Sequence, residues 1–433
     1  MSGLRASTEI SYWSASAMPA SPMPRLEGDL QTDTVIIGGG YTGLSAARDL
    51  ARSGVDTLVL EAKSFGFGAS GRNGGFVSTR FRIPFSRMAT DHGQDVARRM
   101  YDIGQEAADH VERTMGELTS PECGYARYGA VTAALNAHHL QTLDAGRALL
   151  ERAFGDRSLR MLSRGEIAEE CGSERFVGGM LSTRSGGIHP LNYVRVLTKD
   201  LRAHGVPMFE DSPATAIRHQ SGGVLVQTPA GTVRARRAII GTNAYSETTS
   251  ATDPLGRRVV PLQSACIATA PLPDALLARL IPRRRLVFDS KRVLRWFRIV
   301  ADRMVFGGRG ESGAGGSDAA YRRLYANMVE IFPELAGVAI AYRWSGHVAM
   351  TLDTLPHVGW LDDRVLYAIG YNGTGVAMAS LLGTYAARLS RGERIDLGLL
   401  GAEAFRPIRF HALYVPVGRA VTGWYQLLDA LGR

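Results

Sequence analysis

Near the start of the chain, Gly38, Gly40 and Gly43 stand at the spacing G-x-G-x-x-G within the run GGGYTG. This spacing suits chemistry that requires bare backbone. The first glycine permits a tight turn, the second lets the backbone approach a pyrophosphate, and the third lets a helix pack closely on a strand. A helix opening at Tyr41 and Thr42 aims free N–H groups and partial positive charge at the phosphates. Glu61 follows eighteen residues after Gly43. A carboxylate there accepts hydrogen bonds from both ribose hydroxyls and repels a 2′-phosphate, with Ala62 and Lys63 beside it. The set reads as a dinucleotide site that prefers an unphosphorylated ribose.

The elements that must position these residues are legible on either side. TDTVIIGGG is a short, β-branched, apolar strand suited to the buried centre of a parallel sheet. Residues 41–53 read as a helix closed by Gly54, and 55–62 as a second strand, completing a βαβ unit. Further on, the patterns predict helices over 91–118, 189–205, 318–332 and 375–391. They also predict strands over 124–135, 176–182 and 341–350, a three-stranded meander over 214–245, and a strand-rich region over 258–309 with a turn at Ala301–Asp302. Pro19, Pro22 and Pro24 make residues 1–30 an irregular lead-in.

Size and composition bound the answer. A chain of 433 residues predicts two domains. The net charge of +9 is carried by arginine, since Lys63, Lys199 and Lys291 are the only lysines. No basic-aromatic recognition motif accompanies it, so no nucleic-acid partner is expected, and a field attracting anionic substrates is the secondary reading. Cys123, Cys171 and Cys266 are too widely spaced for a metal site or a disulfide framework, so no metal is expected. With no apolar span and no signal-peptide core, the chain is expected to be soluble, cytoplasmic and free of the membrane.

A second glycine cluster, FGFGASGRNGGFVST (65–79), follows the second strand within a few residues. This loop resembles the isoalloxazine-contacting loop of the glycine oxidase/D-amino-acid oxidase superfamily of flavoenzymes. ASGRNGG is most similar to the γ-glutamylputrescine oxidase branch. SGGIHPLNYVRVL (185–197), AIIGTNAYS (238–246), WSGHVAMTLDTLPHVG (344–359) and GYNGTGVAMASLLG (370–383) extend the resemblance in order from about residue 10 to 415.

The resemblance implies FAD, held by the dinucleotide loop, by Ala69, Ser70, Gly71, Arg72, Asn73, Gly74, Gly75 and Phe76, by Ala214, Thr242 and Asn243, and by Gly370, Tyr371, Asn372, Gly373, Thr374 and Gly375. Small residues let backbone approach the ring, and Asn73 is a candidate partner for its polar edge. The helix entered at Gly375 would face N1 and C2=O of the flavin, stabilising the negative charge of its reduced form. No cysteine follows Cys266, so non-covalent FAD is expected, with His347 and His357 as the remaining candidate anchors.

The implied fold is α/β: a Rossmann-like FAD-binding domain (parallel sheet plus β-meander) interleaved with an α+β substrate domain on a mainly antiparallel sheet. Residues 1–85, 183–250 and 341–395 are assigned to the first, 86–182 and 251–340 to the second, and 396–433 to a helical C-terminal extension.

The implied chemistry is oxidation of an amine carbon by hydride transfer to flavin N5. An imine is hydrolysed afterwards, and dioxygen regenerates the flavin with release of hydrogen peroxide. Trp344, His347 and Thr351 are the expected pocket residues on the strand beside the ring. Alternation in the stretch from Lys291 to Arg298 places Arg292, Leu294, Trp296 and Arg298 on one face. Arg298 or Arg292 is then a candidate carboxylate partner, against the plainer alternative of a solvated basic strand. RMVFGGRG (303–310) lacks the lysine that sarcosine oxidases place near N5. The alternative is therefore a flavin dehydrogenase of an amino acid or 2-hydroxy acid that passes electrons to a quinone or carrier protein.

Overall fold

In the computed structural model, residues 10–309, 317–401 and 405–430 are described. The first nine residues of the lead-in and most of the glycine-rich run at 307–316 lie outside them.

Two eight-stranded sheets organise these residues. In the first, the strands Val365–Ile369, Gly231–Ile240, Gly28–Ile37, Thr57–Leu60 and Met208–Phe209 run parallel, in that spatial order. Their apolar runs leave Val35, Ile36, Val59, Ile239 and Leu366 wholly buried, as a parallel sheet covered on both faces requires. Ala216–Gln220 and Gly223–Thr228 join Gly231–Ile240 as the expected meander. The helices Tyr41–Arg52 and Gly375–Ser390 follow strands of this sheet, and Pro190–Ala203 leads into its strand Met208–Phe209. Twelve of the sixteen residues of Gly375–Ser390 are buried, so it is apolar on nearly every face.

The second sheet is ordered Ile340–Met350, Val260–Thr269, Arg303–Arg309, Arg295–Val300, Leu286–Asp289, Ala130–Ala134, Gly178–Ser182 and Leu159–Leu162. It is antiparallel except where Leu286–Asp289 meets Ala130–Ala134. Phe297, Phe306 and Phe332 fill its core, with the first two rings stacked at 5.5 Å. Asp318–Ile331 buries Tyr321, Leu324, Met328 and Ile331 in the same core.

Several expectations need correction. The lead-in contains a helix, Tyr12–Ser16, capped by Ser11, and its Trp13 is fully buried against Trp344 and His189. The prolines stand outside it, so they do not forbid it. The helix expected over 91–118 forms as Gln94–Leu118, and a separate helix not foreseen, Phe85–His92, precedes it across Gly93 with φ of 90°. The helices Ala137–Phe154 and Arg164–Cys171 carried no clear signal; the first buries only Phe154, so its periodicity is weak. Finally, Ile340–Met350, assigned from sequence to the FAD-binding unit, is hydrogen-bonded along its length to Val260–Thr269 of the second sheet. The C-terminal extension forms the helix Tyr414–Ala430. Among the described residues no helix is long and apolar enough to cross a membrane.

Candidate active site

The chain leaves the strand Gly28–Ile37 at Gly38, whose φ of 114° suits glycine. A Cβ on Gly43 would lie 1.9 Å from the Gly38 carbonyl oxygen, so the helix and the turn meet backbone to backbone. The helix N-cap is Gly40, which offers no side-chain cap, and the first turn holds no acid. Ser70 Oγ accepts the Tyr41 N–H at 3.0 Å, and the other N–H groups of that turn need a further partner. Gly38, Gly39, Gly40, Tyr41 and Thr42 line a cavity of about 660 Å³.

Glu61 stands in the same wall, with Ala62 and Lys63. Its carboxylate accepts Gly39 N–H at 2.7 Å and Lys63 N–H at 2.9 Å. Burial pushes its pKa up, and those two hydrogen bonds work against the rise.

A second helix opens on the cavity. Gly375–Ser390 begins at Thr374, which also provides no side-chain cap. The turn before it is held in place by hydrogen bonds. Asn243 Oδ1 accepts Gly370 N–H at 3.0 Å, and Asn372 Oδ1 accepts Thr351 N–H at 2.9 Å. Asn372 itself sits at φ of 53°. The two helices are locked together: Tyr371 Oη and Thr42 Oγ1 are 2.6 Å apart, and a Cβ on Gly383 would lie 2.2 Å from the Thr42 carbonyl. Two positive helix ends thus face one cavity at a set separation.

The 65–79 loop forms a third wall, with Ala69, Ser70, Arg72, Asn73, Gly74 and Phe76 in the lining. Asn73 was expected to bond a ring edge, but its side chain ties the loop instead. Its amide donates to the Ala69 and Ser70 carbonyls, and its oxygen accepts Gly75 N–H at 2.7 Å. Gly71 and Gly75 lie behind the lining, where a Cβ would strike the Gly66 and Ile188 carbonyls. Ala214, Thr242 and Asn243 complete this half of the cavity.

Residues 33–389 match the DAO family, described as FAD dependent oxidoreductase. The chain belongs to this family. It is similar to gamma-glutamylputrescine oxidoreductase of Escherichia coli K12, 34% identical over 431 residues and covering 98% of each chain. Among solved structures it resembles glycine oxidase from Geobacillus kaustophilus, with a TM-score of 0.73 and 19% identity over 88% of this chain and 99% of that one. It also resembles L-proline dehydrogenase from P. horikoshii, with a TM-score of 0.72 and 17% identity over 89% and 99%.

As a DAO-family protein, this chain is an FAD-dependent oxidoreductase. The cavity fits that cofactor. One helix end lies beside Glu61, an arrangement suited to a pyrophosphate and its ribose, and the other, at Gly373–Gly375, would favour the negative charge of a reduced flavin.

The remaining wall comes from the second sheet: Leu262, Gln263, Ser264, Cys266, Phe288, Leu294 and Trp296. Of the expected pocket residues on Ile340–Met350 and just beyond, His347 does line the cavity, edge-on to Tyr245 at 5.6 Å. Partial burial, then the nearby Arg72 charge, hold its pKa below the ordinary imidazole value.

Trp344 and Thr351 are not cavity walls. Trp344 is fully buried, and its indole N–H holds the Arg72 carbonyl at 2.9 Å. Thr351 Oγ1 donates to the Leu355 carbonyl, and its methyl packs toward Gly370, so it supports the Gly370–Gly375 turn.

Arg298 also departs from expectation, because its guanidinium donates to the Gly74, Gly75 and Ile188 carbonyls. It braces the glycine loop from behind. Arg292 precedes the strand, which starts only at Arg295, and is exposed outside the lining. Nor is the strand a solvated basic one, since Arg295 is buried on Asp289 and Glu330. His357 is stacked on Phe405 at 4.2 Å, away from the lining.

Sequence reasoning missed Phe288, Gln263, Arg80 and Arg82 in the lining. Nothing local marks the first two. The arginines did carry a signal: Phe76, Ser78, Arg80 and Arg82 alternate as a strand would.

Proposed function

We propose that this protein oxidises the C–N bond of a primary or secondary amine, with a γ-glutamylputrescine-like or N-substituted amino acid substrate. The observation carrying this reading is the make-up of the cavity beyond the glycine loop. Phe76, Phe288, Leu294 and Trp296 wall it, and among its lining residues Glu61, at the nucleotide end, is the only carboxylate. A cationic amine finds no counter-ion there, so this wall favours the neutral amine, whose lone pair assists loss of the adjacent hydride. FAD, when bound, would supply the hydride acceptor at N5, and water would hydrolyse the product imine to an aldehyde or keto product and ammonia (from a primary amine) or an amine (from a secondary one). The chain's own part is positional. Gly74 lies against Trp296, where a Cβ would be 2.8 Å from the ring, so the cofactor loop and the substrate wall share one contact. The relation to gamma-glutamylputrescine oxidoreductase supports the substrate class.

The FAD is held without a covalent bond: Cys266, in the cavity wall, is buried with its thiol pKa pushed up, so it stays unreactive. Dioxygen is the proposed acceptor, giving hydrogen peroxide. One observation favours the dehydrogenase alternative. Of the three lysines, only Lys63 lines the cavity, at the Glu61 end, and the strand Arg303–Arg309 holds none.

The test is anaerobic mixing of the yellow protein with a panel of amines, amino acids and 2-hydroxy acids. Bleaching by amines alone is expected, followed by one peroxide per turnover when air is admitted. Bleaching by 2-hydroxy acids alone would sink the amine reading; bleaching by amines without peroxide would select the dehydrogenase.

A further inference from the structure

Beyond the glycine loop the chain runs on as Phe76, Val77, Ser78, Thr79, Arg80, Phe81 and Arg82. Even-numbered residues 76, 78, 80 and 82 line the cavity, while Val77 and Phe81 are buried in the core. The strand Phe76–Val77 thus continues as an irregular segment that keeps the alternation, and four residues of it span up to ~13 Å. Its course is marked by a ladder of contacts. Gly74 lies against Trp296, Trp296 meets Phe76 at 5.3 Å, Phe76 meets Phe288 at 4.8 Å, and Phe288 lies 4.5 Å beneath the Arg80 guanidinium. Arg80 and Arg82 stand at its far end, both exposed and both in the cavity lining.

No acid among the described residues answers these two cations. Among the described residues neither forms an ion pair, and the carboxylate in the lining, Glu61, sits at the nucleotide end. The other cations of the lining are differently placed: Lys63 lies two residues after Glu61, and Arg72 is tied to the Phe67 and Ser345 carbonyls. Surrounding protein, then the like charge of Arg82, hold Arg80 down to about 10, which leaves it protonated at neutral pH. Two like charges side by side without a counter-ion are costly unless an anion joins them. The FAD phosphates do not meet this need, because their site lies at the Gly38–Thr42 helix end, across the Trp296–Phe76–Phe288 ladder.

We propose that Arg80 and Arg82 form an anion subsite where the cavity opens, which binds a carboxylate carried by the amine substrate several bonds away from the carbon being oxidised. This rests on the amine-oxidation reading and sharpens it. The aromatic ladder accommodates an apolar methylene linker, the loop end receives the amine, and the paired guanidinium groups take the remote carboxylate. A short amino acid with its carboxylate next to the reacting carbon would not reach them.

The test uses the FAD-loaded full chain with γ-glutamylputrescine and its methyl ester. Wild type is expected to favour the acid in kcat/KM by about tenfold or more. In the double variant Arg80→Gln, Arg82→Gln the acid-to-ester ratio should fall to near one, chiefly through KM. The pair Arg80→Lys, Arg82→Lys should recover part of it. FAD content and Tm are read alongside; should the double variant fold poorly, the exposed single variant Arg82→Gln replaces it, with a partial fall expected. A wild type indifferent to esterification, or a folded variant that keeps the full ratio, overturns the proposal. If no amine reduces the flavin, the amine reading fails by itself. The anion site is then decided by titrating glutarate against the flavin absorbance. Binding in wild type that the variant loses supports the site, and binding equal in both, or absent from both, overturns it.

Discussion

The two ends of the cavity are built from different materials. Toward the cofactor the chain presents backbone: Gly38 to Thr42 at the nucleotide end, the uncapped turn at Thr374, and glycines whose neighbours leave no room for a Cβ. At the substrate end it presents side chains, Phe76, Phe288, Leu294, Trp296, Arg80 and Arg82, drawn from a sheet edge and several loops. Pyrophosphate is the same in every FAD, so N–H groups and helix dipoles suffice, and any side chain in their way is a defect. An amine and what it carries must be distinguished from others, and shape and charge at that level come from side chains.

The sharpest way to break the comparison is Gly43→Val. Its Cβ would fall 1.9 Å from a backbone oxygen that has no rotamer to escape into. FAD affinity should drop by more than about 100-fold, read as the ratio of flavin to protein absorbance after purification. A fully yellow variant would show that the close approach of helix and turn is dispensable.

Trp296→Ala attacks the other end. It should retain FAD yet lose on the order of 30-fold in kcat/KM for the amine, about 2 kcal/mol. If flavin is lost instead, the two ends are one unit. Glu61→Gln removes the charge from an acceptor of two backbone N–H groups. The expected cost is about tenfold in the FAD Kd, measured by titrating apoprotein, with the KM for amine little moved.

The smallest effect is expected at His347, between the two ends. Its folded-state pKa is depressed, so below the ordinary imidazole value of about 6.5 the unfolded chain binds more protons than the folded one. Stability from this group is complete above that pH and is lost as pH falls from there through the depressed folded value. His347→Asn should therefore narrow the difference in Tm between pH 7 and pH 5 by a small amount. An unchanged difference would mean that the ring is freely solvated.

The nucleotide end was legible because its signal is local. Gly38, Gly40, Gly43 and Glu61 lie on one βαβ unit, where chain geometry alone sets their separation. The Gly370–Gly375 turn announced itself in the same way, by glycines between an apolar strand and an apolar helix. Trp344, Thr351 and Arg298 were found to be near the site but misread in role. Sequence placed Trp344 and Arg298 on strands and Thr351 at the end of one, yet each turns its polar atoms to backbone: the Arg72, Leu355 and Gly74–Gly75 carbonyls. They hold loops, and alternation along a strand cannot tell a wall from a brace.

By itself, then, the sequence determined a dinucleotide loop with an acid for the ribose, an alternation of elements that requires a parallel sheet, and a resemblance in order along the chain that points to FAD. These follow from spacing, periodicity and the steric needs of glycine, which act over a few residues. Only the tertiary structure decided that Ile340–Met350 joins the second sheet, that Phe288 reaches Phe76, and that Arg80 and Arg82 line the cavity with no ion pair to any described residue. Those outcomes depend on which sheet edge pairs with which, and on how two cores pack around one cavity. Side chains more than 200 residues apart meet there because burial favours it, and no short stretch of sequence records that meeting.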